Sequence, residues 1–177
     1  LSKACDVLDN NGIIAYPTDT VYGFGCNANN DIAIKKLNKI KNRTGPMSVI
    51  APNIEIASNW MDISSQYIPE AENIIGKTHT IIVPVKKNIC SSLIKGDNNS
   101  LGIRIPSHPF CKKIALAYSS PITTTSVNRT GKEPLTDPEE IKNEFYNEID
   151  LIIEDGVIEG AASKIYLFQN ENWKILR

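Results

Sequence analysis

A short apolar run, Gly12-Ile13-Ile14-Ala15-Tyr16-Pro17, stops at a proline and empties into Thr18-Asp19-Thr20-Val21-Tyr22-Gly23. A run of that length, closed by turn formers, reads as a buried strand. The pattern recurs: residues 47–51 end before Pro52, residues 101–105 before Pro106, and residues 122–124 run into Thr125-Ser126-Val127-Asn128. Residues 80–85, 151–153, 164–168 and 173–176 complete the predicted strands, with Pro84 marking an edge or an end. Between them lie helical patterns over 3–9, 32–41, 64–75 and 109–117, and a last one from Pro138. Asp31 is placed to cap the helix over 32–41, whose Ala33, Leu37 and Ile40 share one face while Lys35, Lys36 and Lys39 share the other. Pro69 falls near the start of its helix or breaks it, and Asp137 caps the last one with Glu139 and Glu140 at the positive end of its dipole. Strands alternate with helices through most of the chain, and the C-terminal third is strand-rich. The expected fold is α/β, a twisted open mixed parallel/antiparallel sheet with flanking helices.

A strand that delivers hydroxyls and backbone N–H groups to one point is how an open α/β sheet builds a small-molecule site. Gly23 and Gly25 are expected to let the loop after the first strand turn sharply. At 177 residues the chain is the size of one domain with a normal core, and its net charge of -1 gives no general field toward nucleic acid or an anionic membrane. Cys5, Cys26, Cys90 and Cys111 are scattered with no C-x-x-C pair, and the histidines are His79 and His108, so neither a zinc site nor a disulfide framework is expected. A reducing cytoplasm and no membrane association follow as expectations.

Five segments are candidates for chemistry. Gly23-Phe24-Gly25-Cys26-Asn27-Ala28 fits G-x-G-x-x-G/A, but Pro17 to Tyr22 separate it from the strand end where a dinucleotide loop must begin. Lys41-Asn42-Arg43 ends a helix, where cations suit the dipole or could clamp a triphosphate ahead of the turn Thr44-Gly45-Pro46. In Ser100-Leu101-Gly102-Ile103-Arg104-Ile105-Pro106, Arg104 interrupts an apolar strand and points opposite to Leu101, Ile103 and Ile105. It is either an incidental edge residue or a fork for a carboxylate. Thr125-Ser126-Val127-Asn128, with Gly131 and Thr136 beyond, offers hydroxyl, amide and N–H donors to an anion, or is a polar turn. The last candidate is the end of the chain, where Gly160-Ala161-Ala162-Ser163 leads into a strand and Trp173-Lys174-Ile175-Leu176-Arg177 closes on a cation.

Taken together, Tyr16-Pro-Thr-Asp-Thr-Val-Tyr-Gly23, Lys41-x-Arg43, Gly102-Ile-Arg104-Ile-Pro106, Thr125-Ser126-x-Asn128 with Gly131, Ser163 before a strand, and Ile-Leu-Arg177 resemble the YrdC-like family of threonylcarbamoyl-adenylate synthases in order and spacing. The resemblance implies one YrdC-like domain over residues 1–177 and a reaction in which L-threonine, bicarbonate and ATP give threonylcarbamoyl-adenylate and pyrophosphate. The product supplies the threonylcarbamoyl group of a modified adenosine in tRNA. Carried over by position, Thr20, Arg104, Ser126 and Ser163 hold threonine, and Lys41, Arg43, Ser100, Asn128, Thr136 and Arg177 hold ATP, with Lys41, Arg43 and Arg104 as the catalytic cations. Magnesium is expected on phosphate oxygens and water, without protein ligands. The implied partner is a downstream tRNA threonylcarbamoyl transferase complex, with weak direct tRNA binding as a further expectation. The alternatives are a non-catalytic RNA- or nucleotide-binding module of this fold and a carbamoyl-adenylate site fed by carbamoyl phosphate. Four departures from the family pattern bear on affinity and on the amino acid: Gly45 before Pro46, Ile50 where some members have a histidine, Lys164 after Ser163, and Arg129-Thr130 after Asn128.

Overall fold

Each apolar run becomes a strand in the computed structural model, which describes residues 1–77 and 79–177. The chain order is α1 (Ser2–Asp9), β1 (Ile14–Tyr16), β2 (Gly23–Gly25), α2 (Asp31–Lys41), β3 (Ser48–Ile50), α3 (Ile54–Trp60), α4 (Ile68–Ile75), β4 (Thr80–Pro84), β5 (Ser100–Arg104), α5 (Pro109–Ala117), β6 (Ile122–Ser126), α6 (Pro138–Phe145), β7 (Leu151–Ile152), β8 (Ile165–Gln169) and β9 (Asn172–Ile175). The strands form one sheet in the order β7-β1-β2-β6-β3-β5-β4-β8-β9. Pairs β1–β7, β3–β5 and β4–β8 are parallel, and β1–β2, β2–β6, β3–β6, β4–β5 and β8–β9 are antiparallel. The mixed open sheet expected from the sequence is the one observed.

Three local expectations need correction. Gly23 and Gly25 do not turn a loop: they lie in β2, which folds back on β1 and lacks any left-handed φ. Gly25 is needed for closeness, because a Cβ there would sit 2.7 Å from the Tyr16 ring and 3.0 Å from Ile122. The antiparallel β2 also removes the dinucleotide reading, which requires a strand, a turn and a helix in direct succession. The cap of α2 is Asn30, not Asp31: the Asn30 side chain accepts from the N–H groups of Ile32 and Ala33, both at 3.0 Å, and Asp31 lies in the first turn. The helix predicted over 64–75 begins as a single 3₁₀ turn at Ser65–Tyr67 and continues as α4, with Pro69 in its first turn where no N–H is missed.

The sheet buries apolar residues on both faces. One face carries Ile13, Ala15, Phe24, Val49, Ile81, Val83, Leu101 and Ile103 against α2, α4 and α6 residues such as Leu37, Ile75 and Phe145. The opposite face packs Ile14, Tyr16, Ile50 and Ile122 against Ala4 and Leu8 of α1 and Cys111 and Ile114 of α5. That second cover is incomplete. The pairings Tyr16↔Gly23, Gly23↔Ser126, Ser48↔Thr124, Ser48↔Gly102, Thr80↔Arg104 and Thr80↔Ile165, combined with period-two alternation, set Gly23, Ser126, Thr124, Ser48, Gly102, Arg104, Thr80 and Ile165 on this same face. The half of the face under α1 and α5 is greasy; the other half is a row of hydroxyls around one arginine.

Candidate active site

The uncovered polar half of the sheet is the floor of a hollow of about 320 Å³. Its floor supplies Ser48, Thr80, Arg104, Thr124 and Ser126; its walls supply Thr18, Thr20, Tyr22, Arg43, Ala162, Ser163 and Arg177. The guanidinium groups of Arg43, Arg104 and Arg177, remote in sequence, thus line one space. A second hollow, of about 410 Å³, lies among Ile56, Trp60, Ile89, Leu116 and Tyr118, and its described lining holds no charged side chain. Only the first brings convergent cations and hydroxyls together, the combination suited to an anionic ligand.

Residues 18–20 form a clasp on Arg104. The Thr18 hydroxyl donates to the Val21 carbonyl (2.6 Å) and accepts from the N–H of Thr20 (3.1 Å) and of Val21 (3.3 Å), closing a tight turn. From that turn the Thr20 hydroxyl accepts from Arg104 Nη1 at 2.9 Å, and Asp19 Oδ1 lies 3.0 Å from Arg104 Nη2 as an ion pair without hydrogen-bond alignment. Arg104 is only 6% exposed, and its Nε and Nη2 have no hydrogen-bond partner among the described residues. Thr80, its neighbour across β4, has its hydroxyl 3.0 Å from that of Ser163. Gly102 is required on the floor because a Cβ there would collide with the Ser48 side chain.

A second cluster lies behind the wall. Lys41 is buried, and its Nζ donates to the Ser126 carbonyl (2.6 Å), the Asn128 carbonyl (2.9 Å) and Asn128 Oδ1 (2.8 Å), while the Ser126 hydroxyl donates to Asn128 Oδ1 at 2.7 Å. Burial, with Arg43 nearby, lowers the Lys41 pKa to about 8. Arg43 reaches the hollow with Nη2 donating to the Pro46 carbonyl at 3.1 Å. Gly45 between them has φ +125°, a backbone conformation that glycine adopts without strain.

Residues 153–164, without helix or strand, form a strap whose Ala162 and Ser163 line the hollow. The Tyr22 hydroxyl donates to the Gly156 carbonyl (2.8 Å) and accepts from the Asp155 N–H (2.9 Å), and the Ile158 N–H donates to the Thr136 carbonyl (3.1 Å). Gly160 lies against the Thr20 backbone so closely that a Cβ would overlap the carbonyl. Arg177 holds the far end, donating through Nε (3.2 Å) and Nη2 (3.1 Å) to the Ser163 carbonyl.

Of the residues singled out from the sequence, Thr20, Arg43, Arg104, Ser126, Ser163 and Arg177 line the hollow. Lys41, Ser100, Asn128 and Thr136 do not: Lys41 and Asn128 bind each other, Ser100 pairs with Pro84 at the start of β5, and Thr136 anchors the strap. Ile50, paired with Arg104, lies in the apolar cluster under α5. Arg129 turns away to Glu144 (3.5 Å) and Glu148 (2.5 Å) and over the Phe145 ring. Asp19, Ser48, Thr80 and Thr124 were not singled out. The signal was available for Ser48 and Thr80, polar residues at the head of apolar strands.

The family model described as "Telomere recombination" (Sua5, YciO, YrdC) matches residues 6–177. The threonylcarbamoyl-AMP synthase of Psychromonas ingrahamii is 32% identical over 185 residues, spanning 100% of this chain and 95% of that protein. The protein of the same name from Idiomarina loihiensis is 27% identical over 171 residues, spanning 94% and 91%. Among solved structures, P. abyssi Sua5 complexed with L-threonine superposes with a TM-score of 0.88 at 25% identity, covering 99% of this chain. This chain spans about half, 52%, of that Sua5 chain.

Proposed function

The chain belongs to the Sua5/YciO/YrdC family, and we propose that it is a threonylcarbamoyl-AMP synthase, an enzyme that condenses L-threonine, bicarbonate and ATP with release of pyrophosphate. The observation that carries this reading is the meeting of Arg43, Arg104 and Arg177 over a hydroxyl-rich floor. The two curated relatives of that name, matched over nearly their whole length, support it.

The chemistry suits such a wall. Threonine and bicarbonate condense to an N-carbamate with loss of water. A carbamate oxygen attacks the α-phosphorus of ATP, one P–O bond forms, the bond to the β-phosphate oxygen breaks, and pyrophosphate leaves with its electron pair. The attacking group is already an anion, so the protein's task is alignment and charge stabilisation rather than proton removal. In our assignment Arg104 grips the threonine carboxylate with Thr20, Ser126 and Ser163 beside it, and Arg43 and Arg177 meet the phosphates. Lys41 and Asn128 act on the nucleotide side by shaping the Ser126 loop, with Ser100 and Thr136 at its borders. The hollow's described lining contains no carboxylate, which suits a magnesium ion carried in by phosphate oxygens and water. We further place residues 1–177 as one domain acting in the cytoplasm, its product passed to a tRNA threonylcarbamoyl transferase complex.

Mass spectrometry of the nucleotide after incubation with ATP, magnesium, bicarbonate and each amino acid in turn tests the reading. Threonylcarbamoyl-AMP and pyrophosphate are expected with threonine alone. Intact ATP in every mixture overturns the enzyme reading, and turnover only with carbamoyl phosphate moves the chain to a different substrate. RNA binding that persists without ATP and falls steeply with salt favours a binding module instead.

A further inference from the structure

We propose that Asp19 is a positioning residue: a buried counter-ion that holds the Arg104 guanidinium in the attitude in which it meets the substrate carboxylate. The proposal rests on the threonine reading above. Asp19 does not line the hollow and Arg104 does, so the contact through which Asp19 can position a ligand is the one to Arg104. The side chains of the pair are 14% and 7% exposed, and Asp19 Oδ1 lies 3.0 Å from Nη2. A guanidinium cannot shed its charge on burial, so it needs a fixed opposite charge close by. An arginine side chain is also long and loses much rotamer freedom when held. Two contacts from one turn hold it here, Thr20 on Nη1 and Asp19 beside Nη2, and the Thr18 hydroxyl locks that turn.

Charge repulsion alone predicts the opposite sign: a carboxylate beside the guanidinium repels an incoming carboxylate. The two predictions have opposite signs, which makes the experiment decisive. Asp19→Ala removes both the charge and the contact; Asp19→Asn removes the charge and keeps an oxygen for Nη2.

Calorimetric titration of L-threonine, with KM for threonine and for ATP measured separately, reads the effect. We expect Asp19→Ala to weaken threonine binding by about tenfold to a hundredfold, by analogy with the loss seen when the partner behind a metal-ligating side chain is removed. Asp19→Asn should fall between Asp19→Ala and the wild type, with KM for ATP little changed in both. Threonine binding in Asp19→Ala that equals or exceeds the wild type overturns the proposal, as does an equal loss for ATP. A double-mutant cycle over Asp19→Asn and Arg104→Gln, read by denaturant unfolding without substrate, tests the contact itself. Additive effects overturn the proposal even if the chain binds no threonine; a wild type that binds no threonine while the cycle shows coupling counts against the assigned function alone.

Discussion

Lys41 and Asn128 are joined twice: one ammonium donates to the backbone carbonyl of Asn128 at 2.9 Å and to its side-chain oxygen at 2.8 Å. The bonds fasten the end of α2 to the loop after β6, across which Ser126 faces the hollow. Burial lowers the Lys41 pKa to about 8 from 10.5, so the folded chain gives up this proton before the unfolded one does. In the interval the unfolded state binds more protons, and stability from this group rises with pH. The stability of the wild type relative to Lys41→Met should therefore rise from pH 8 toward 10, measured by denaturant unfolding at each pH. Activity should move the other way, with KM for ATP rising above pH 8 in the wild type and flat in the variant.

Arg104→Ala should damage both fold and function. It strands Asp19 as a largely buried charge without its partner and frees the Thr20 hydroxyl. Loss of one member of a buried pair costs about 3–5 kcal/mol. Arg104→Lys keeps the charge and loses the planar fork, so it should recover part of that stability while threonine binding stays weak. Unfolding curves and threonine titrations on the two variants check this; equal threonine affinity in Arg104→Lys and wild type would show that a point charge is enough.

Gly25→Ala tests the packing of the β1–β2 hairpin, away from the hollow. The added methyl would meet Tyr16 at 2.7 Å, Ile122 at 3.0 Å and Ile14 at 3.2 Å, all from a closed core. Overpacking of this kind costs about 1–3 kcal/mol. The expected result is a lower denaturation midpoint with threonine and ATP affinities unchanged in the population that remains folded.

Most strands and five of the helices were legible because each is one apolar run or one amphipathic face. The strand Gly23–Gly25 was not, since two glycines in three residues carry no strand propensity and the pairing with β1 and β6 supplies the order. The helix Ile54–Trp60 is only seven residues long and has a single buried residue, Ala57, so its periodicity is weak. Arg104 stood out as a charge inside an apolar strand. Its clasp by Asp19 and Thr20 did not, because it joins segments 84 residues apart. Register explains the rest: Ser48, Thr80 and Thr124 become one floor only once β3, β4, β5 and β6 are aligned. Lys41 read as a phosphate-binding cation, and only the fold reveals that its donors are already taken by Ser126 and Asn128.

The strap offers a last test that separates fold from site. Gly160 rests on the Thr20 backbone, and a Cβ there would overlap the Thr20 carbonyl, which as main chain within a locked turn cannot swing aside. Gly160→Ala should lift the strap and carry Ser163 away from Thr80, with which it shares a 3.0 Å hydroxyl contact. Because Gly160 is only half-buried, residues 161 and 162 are exposed, and all three lie outside the core, the denaturation midpoint should barely change. Tyr22→Phe reaches the same strap from the other end by deleting the hydroxyl that holds Asp155 and Gly156, at a cost of about 1 kcal/mol. Both variants should lose threonine affinity and become more sensitive to limited proteolysis within 156–162, and the effects should be less than additive when combined, since either one already frees the segment. Threonine affinity unchanged in both, with proteolysis accelerated, would show that the strap covers the hollow without contributing to what it binds.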